Sequence, residues 1–522
     1  MPGIITHKFR LNNAQQFFES FTESAAINSR YYMFLGRSHP WPTDISPPTP
    51  TDTVLNTDYG AWRNMIAAKR VTASDLSFAI PRYNWSSGTA YSKYTDSSSN
   101  LFSTNFFVVT DTFNVYKVID NNNGGNSTVK PTSTSANTVV TTADGYRWKF
   151  MYNISASEVL KFATTNFIPV KTLTADDSSL QFDVQQAAVN GAVTFIDVTT
   201  AGSGYLSANG TFANIDSSTI VKLDSTSGTN DVYNGSVLYV SSGKGAGQLR
   251  NIVDYEGATK KATLNVAFSP VPNTQSKYFI GPKVTITGDG VGAAAYANVN
   301  LPALASATVG NSVNQVIIIN AGKNYSKIGV SISANSSHGT GAVASAAVAP
   351  NGGHGANPVE ELGATDVILN TRISGTESDT LITNNDFRII GLMKDPVLFN
   401  GNQANSTVYD MTTKITVSSK SGNFNADEMV SGGTSGAKAR FVSFANTNAA
   451  GTTGVISVTG LDGTFTTSET LTGNTSTQTA TVGSINTRDL RDFVGEVLYV
   501  ENRLPVSRSP DQTEDIKLIV RF

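Results

Sequence analysis

Two stretches decide the fold class: VTFIDVTTAGSGY (193–205) and VNQVIIINAGKNY (313–325). Laid in register, Val193/Val313, Ile196/Val316, Val198/Ile318, Ala201/Ala321, Gly202/Gly322 and Tyr205/Tyr325 coincide. Each copy reads as an alternating β-branched strand, a glycine turn and a tyrosine. Small-residue text follows in each case, VTITGDGVGAAAYANV (284–299) and VSISANSSHGTGAVASAAV (330–348). Small alternating side chains suit closely packed sheets. Between the copies lies YNGSVLYVSSGKGAGQLRNIVDYEGATKKATLNVAF (233–268). Its short strands, broken by a glycine turn roughly every 8–12 residues, have the spacing of an all-β sandwich or barrel.

A second repeat lies further on, at an offset of 41: FNADEMVSGGTSGAKARF (424–441) and FTTSETLTGNTSTQTATV (465–482). Phe424/Phe465, Glu428/Glu469, Gly432/Gly473, Thr434/Thr475, Ser435/Ser476 and Ala439/Ala480 coincide. Two copies are fewer than a solenoid needs, so the reading is paired β-hairpins sharing one small core.

Outside these stretches the composition changes. All four Trp (Trp41, Trp62, Trp85, Trp148) precede residue 150. The expectation is one core interrupted twice: 1–172, 351–410 and 487–522 as core, 173–350 and 411–486 as inserted all-β modules. The 487–522 segment should pair its strands with N-terminal ones. A chain of 522 residues has room for roughly three or four domains. The fold class is mainly β, with a few N-terminal helices. One helix is expected behind a cap at Asn12 or Asn13, carrying Phe17, Phe18 and Phe21. A second is expected behind Asp58, with Trp62, Met65 and Ile66 on one face. Between them, five prolines from Pro40 to Pro50 make a stiff, extended surface loop.

Composition also excludes functions. The charged fraction is 15% and the formal net charge −3, without a Lys/Arg cluster, so no nucleic-acid partner is expected. Apolar runs such as Val316–Ile319 are far short of the ~20 residues of a spanning helix, so no membrane partner is expected. The opening MPGIITHKFRLNN lacks an apolar run behind a basic start, and no secretory signal is expected. With no cysteine, disulfides, Cys-based zinc sites and thiol catalysis drop out.

No constellation points to catalysis, a metal or a cofactor. The four histidines, His7, His39, His338 and His354, have no ligand spacing. Ser242–Gln248 (SGKGAGQ) places its lysine before two of its glycines, unlike a phosphate loop, and reads as a hairpin turn. Asp120–Gly125 (DNNNGG) lacks the fifth and twelfth ligands of a calcium loop and reads as a turn. Glu360 and Glu361 are merely adjacent.

With the inserts set aside, the remaining text resembles a known family. The stretches are FLGRSHPW (34–41), PTDTV (50–54), Ile80-Pro81-Arg82 with Trp85, Asp144-Gly145-Tyr146 with Trp148, and GEVLYVENRLPVSRSPDQTEDIKLIVRF (495–522). They are similar to the baseplate wedge subunit of T4-type contractile-tailed bacteriophages, the gene product eight kind. The resemblance implies a β-sandwich core and a structural protein of the virion tail baseplate, made in the host cytoplasm. It would form a homodimer, join other baseplate wedge subunits and have no enzyme activity. The inserts have no counterpart in the shorter prototype, so their role is not implied. In the NRLPVSRSPDQ segment, two prolines and several charges between strand-like runs read as a shaped loop. Glu501, Asn502, Arg503, Asp511 and Glu514 would organise it or meet a neighbour, Arg503 through a bidentate carboxylate pair. Arg37 and Trp41 are further candidates for interface or loop-organising roles. The alternative function is a tail-spike or receptor-binding protein holding host glycans.

Overall fold

The computed structural model describes residues 3–23, 29–299, 312–333 and 338–522; part of the second small-residue text, 334–337, lies outside them. The protein is mainly β and divides into two compact units. One comprises Met1–Ile80, Ala156–Pro169 and Ala364–Phe522, the other Pro81–Ser155 and Val170–Gly363.

The first unit is built on a β-sandwich. Its larger sheet runs in the order Val408–Asp410, Met65–Val71, Tyr31–Gly36, Asn385–Lys394, Glu496–Arg508. The facing sheet runs Thr513–Arg521, Asp366–Ser374, Leu76–Pro81, Phe167–Val170. The strand Tyr31–Gly36 is YYMFLG, and every residue in it is buried. A strand can be apolar throughout only when its sheet is covered on both faces. Here Tyr31, Met33 and Leu35 enter the core between the sheets, with Val367, Leu369, Ile390, Leu392 and Leu518. Tyr32 and Phe34 point the other way, into a cluster with Trp62, Met65, Met393 and Leu490. Burying such a side chain contributes about 1.5–3 kcal/mol.

The helices differ from expectation at their starts. The first spans His7–Glu19 and is capped by Thr6, whose hydroxyl accepts from the Phe9 amide at 3.2 Å. Its first turn has no apolar face, Phe9 being 56% exposed, and burial begins only at Leu11 and Ala14. The phenylalanines do pack on the sandwich: Phe21 stacks on Tyr31 and Phe18 on Phe78. The second helix is a π-helical segment Val54–Gly60 behind Thr53, then a single turn Ala61–Asn64. Met65 and Ile66 already belong to the strand Met65–Val71 and bury on opposite faces. A short apolar run does not distinguish helix from strand by period.

The C-terminal strands do not pair directly with N-terminal ones. Glu496–Arg508 pairs with Asn385–Lys394, and Thr513–Arg521 with Asp366–Ser374. Those two strands in turn pair with Tyr31–Gly36 and Leu76–Pro81.

Residues 413–486 close into a six-stranded barrel with its own core, including Ile415, Phe424, Val430, Ile456, Phe465 and Leu471. The repeat is visible as two hairpins, Met429–Gly432 with Lys438–Asn446 and Thr470–Gly473 with Thr479–Asn486. They meet across Ser431 and Thr472. Glu428 of one copy accepts from the amides of Thr475 and Ser476, both at 2.9 Å, in the other copy's turn. Glu469 does the same for Thr434 and Ser435, also at 2.9 Å. Each repeat thus holds the other's turn. Burial pushes both carboxyls up, but the hydrogen bonds they accept from these turns outweigh it, and each falls from 4.5 to about 2.

The second unit contains a four-stranded sheet ordered Phe107–Val109, Asn114–Asp120, Arg147–Asn153, Val140–Thr141. The repeated strands Val193–Ser203 and Val313–Lys323 pair with Thr340–Val348 and Val291–Val299. Their side chains share one core, with Val193, Ile196 and Tyr205 beside Val313, Val316 and Tyr325. Each tyrosine hydroxyl accepts a backbone amide, Tyr205 from Ala342 at 3.1 Å and Tyr325 from Ala293 at 3.4 Å. Residues 208–281 form a second closed six-stranded barrel. Its Ser242–Gln248 stretch is a hairpin turn with Gly243, Gly245 and Gly247 at φ of 84°, 82° and 89°, which is why those positions are glycine. With strands numbered one to six in chain order, neighbours run 1-2-5-4-3-6 here and 1-4-3-2-5-6 in the 413–486 barrel. Moving the last strand of the latter to first place makes the two orders identical, so the barrels are circular permutants in connectivity.

Two outcomes are expected. A carboxyl lowered on folding stabilises above its unfolded value, and the effect is lost as pH falls through its folded value. The 413–486 barrel therefore loses about 2–3 kcal/mol per carboxylate between pH ~4.5 and ~2. Thermal melts across that range show a falling midpoint, and the Glu428→Gln/Glu469→Gln variant is less stable at pH 7 and flatter with pH. Separately, Lys414 and Asn486 are direct strand partners, about 5 Å apart. Deleting 415–485 across a short Gly/Ser link leaves a soluble, cooperatively melting sandwich by circular dichroism; an insoluble product contradicts module independence.

Candidate functional site

The strand Glu496–Arg508 lies at the edge of the five-stranded sheet. The shaped loop expected over NRLPVSRSPDQ is a correction: residues through Arg508 continue the strand, and the turn is confined to Ser509–Gln512. Register steps from Phe387↔Val506 to Ile389↔Asn502, so residues 503–505 bulge opposite one partner. An edge bulge tolerates Pro505, which has no ladder hydrogen to give.

The proline-rich loop lies along this edge. The Trp41 indole donates to the Arg503 carbonyl at 2.9 Å, and the Asn502 amide donates to the Pro48 carbonyl at 2.8 Å. The Arg37 guanidinium sits 3.8 Å over the Trp41 ring and donates to the Pro40 carbonyl at 2.8 Å. Arg37 itself is held at φ 58°. Glu501 accepts from Tyr499 at 2.9 Å and lies 3.4 Å from Arg503. Both Glu501 and Arg503 are about 40% exposed (39% and 41%), and such surface pairs contribute only ~0–1 kcal/mol. Among the described residues Arg503 makes no bidentate pair.

Of the expected residues, the structure gathers Arg37, Trp41, Glu501, Asn502 and Arg503. Asp511 is exposed in the turn. Glu514 faces inward 3.4 Å from Arg508, both essentially buried. Arg508 also donates to the Ile382 carbonyl at 2.8 Å and the Gly375 carbonyl at 2.6 Å. That pair ties the turn to the sandwich.

Sequence reading missed the anchor of the assembly. Buried Arg388 grips Asp44 with two hydrogen bonds, 3.0 and 2.9 Å, and donates to the Ser38 carbonyl. Asp44 in turn accepts from the Trp41 amide at 2.7 Å. Partners 344 residues apart leave no local signal.

The electrostatics are uneven. Arg388 is answered by Asp44 and Asp386. Arg37 has no carboxylate at salt-bridge distance among the described residues, and its Nε is buried without a partner. Burial, then Arg440 and Arg388, lower Arg37 to about 10. Burial, then Arg37, lower His39 to about 3, so its ring is neutral, and its Nδ1 is also unpartnered. Elsewhere in the unit a cavity of about 390 Å³ is lined by Lys69, Lys161 and Arg372. Those three cations are answered by Glu377, Asp75 and Asp515, and a fourth, Arg70, donates to Asn405. No cluster of three or more potential metal-binding side chains occurs among the described residues, nor a helix long and apolar enough to cross a membrane.

Residues 3–124 match the family described as Bacteriophage T4, Gp8, which includes Arg37, Trp41 and the proline-rich loop. The match supports a T4-type baseplate wedge subunit, the family that the sequence resembles, and with it a structural role in the phage tail baseplate. No curated protein matches the chain.

Removing one partner of a buried ion pair costs about 3–5 kcal/mol, whereas replacing both with apolar groups is often near neutral. Glu514→Ala is therefore strongly destabilising by denaturant unfolding, and Arg508→Met/Glu514→Leu recovers most of the loss. Equal stability of Glu514→Ala and the parent chain contradicts this.

Proposed function

We propose that the chain forms a homodimer and joins neighbouring wedge subunits into the baseplate of a contractile tail, without catalysis of its own. The observation that carries the baseplate reading is the family match over 3–124. Dimerisation is supported by an exposed apolar strip. The segment Val54–Gly60 packs beside the edge strand, with Tyr59 against Phe493 at 4.9 Å. There Val54, Leu55 and Leu498 are exposed by 63%, 72% and 47%. Apolar side chains gathered on a sheet edge mark a protein interface or an aggregation hazard. A two-fold contact uses one such patch twice. The glycan-binding spike reading gains nothing from the family match.

Sedimentation velocity of the purified full-length chain tests the dimer. The expected particle contains two chains at micromolar concentration. Leu55→Arg/Leu498→Arg raises the dissociation constant at least about tenfold, ~1.4 kcal/mol, while the melting midpoint stays put. A wild-type monomer overturns dimerisation in isolation.

A further inference from the structure

The half-buried Arg37 has no carboxylate at salt-bridge distance among the described residues, and the nearby Asp44, which favours its charge, is gripped by Arg388. Its backbone is fixed in a left-handed conformation, with its amide donating to the Asn64 carbonyl at 2.7 Å. Its guanidinium is spread on Trp41, whose own indole and amide are bound by Arg503 and Asp44. The position is therefore set before any partner arrives, at a cost in backbone strain that functional positions characteristically carry. Arg388 and Arg440 lie near enough to repel it. Arg388 is already saturated by Asp44 and Asp386, and Arg440 donates to the Asp427 carbonyl at 2.7 Å. Two apolar side chains flank the cluster: Ile45, beside Asp44, is 88% exposed, and Leu504, beside Arg503, is 55% exposed. Arg and Trp are among the residue types enriched at interface hot spots.

Resting on the baseplate reading above, we propose that Arg37 on its Trp41 platform receives an Asp or Glu side chain from a different baseplate subunit. A carboxylate is the group that pairs with the terminal guanidinium hydrogens left after the one given to the Pro40 carbonyl. A second copy is the poorer occupant. A two-fold contact centred here would oppose the unpaired Arg37 with its own duplicate.

The test uses baseplates assembled with the full-length Arg37→Lys chain, which keeps the charge and adds an amine. Treatment with a water-soluble carbodiimide joins an amine to a carboxylate in direct contact. Mass spectrometry is expected to find position 37 joined to an Asp or Glu of another baseplate protein, and no such product from wild-type baseplates. A product only with this chain's own Asp44, a product with a second copy, or none at 37 while other lysines react overturns the proposal. As a second arm, Arg37→Gln lowers incorporation into baseplates about 30-fold with an unchanged melting midpoint. Incorporation equal to wild type overturns the proposal, and if that variant fails to fold the carbodiimide arm decides. Absence of the wild-type chain from baseplates overturns instead the reading on which the proposal rests.

Discussion

The pairing of Tyr31–Gly36 with Asn385–Lys394 constrains the rest of the first unit. Tyr31 lies opposite Lys394 and Gly36 opposite Ile389, so an N-terminal strand finds its partner near the other end of the chain. That partner also carries the edge strand Glu496–Arg508, and the strand's two faces supply two apolar clusters. Neither cluster exists until the long-range pair forms. The modules inserted between sandwich strands must therefore leave the sandwich and return to it without disturbing the register. A one-residue slip would turn Tyr32 and Phe34 into the space of Met33 and Leu35.

The chain meets that constraint by hanging its modules from strands that pair where they begin and end. Lys414 and Asn486 are partners at the mouth of one barrel, and Ala208 and Ile280 at the mouth of the other. Val193 and Val348 close the segment that contains the second barrel. When entry and exit are neighbours, the length between them matters little, since each doubling of a loop adds only about 0.6 kcal/mol. Each module then answers for its own ordering entropy with its own core. The shared connectivity of the barrels, offset by one strand, fits a module whose ends are adjacent and so can be opened at either of two places.

What was legible in the sequence was periodic and local. The 41-residue offset gave the tandem hairpins, and the coincidence of Glu428 with Glu469 marked the two carboxylates that now hold each other's turns. The glycine spacing at Ser242–Gln248 gave a hairpin. What was not legible depended on partners far away. Asp44 with Arg388 and Arg508 with the carbonyls of Gly375 and Ile382 have no signature in any window. Pro505 read as a loop breaker because only the sheet order shows that its strand is an edge with a bulge. At the site, Arg37 and Trp41 were named through resemblance alone. Their geometry, and the lack of a carboxylate at salt-bridge distance from Arg37 among the described residues, emerged only when the proline-rich loop was seen lying on the Arg503 carbonyl.

Native-state hydrogen exchange read by mass spectrometry tests the central claim most directly, that one long-range strand pair holds the sandwich while the modules open on their own. Opening free energies differ between cooperative units and are highest where burial is greatest. The account predicts that amides of Tyr31–Gly36 and Asn385–Lys394 exchange last and together, as the denaturant-dependent global class. Those of 413–486 should form a separate class, selectively destabilised by Glu428→Gln. Exchange of the barrel and the sandwich in one class, with that substitution shifting both equally, would contradict it.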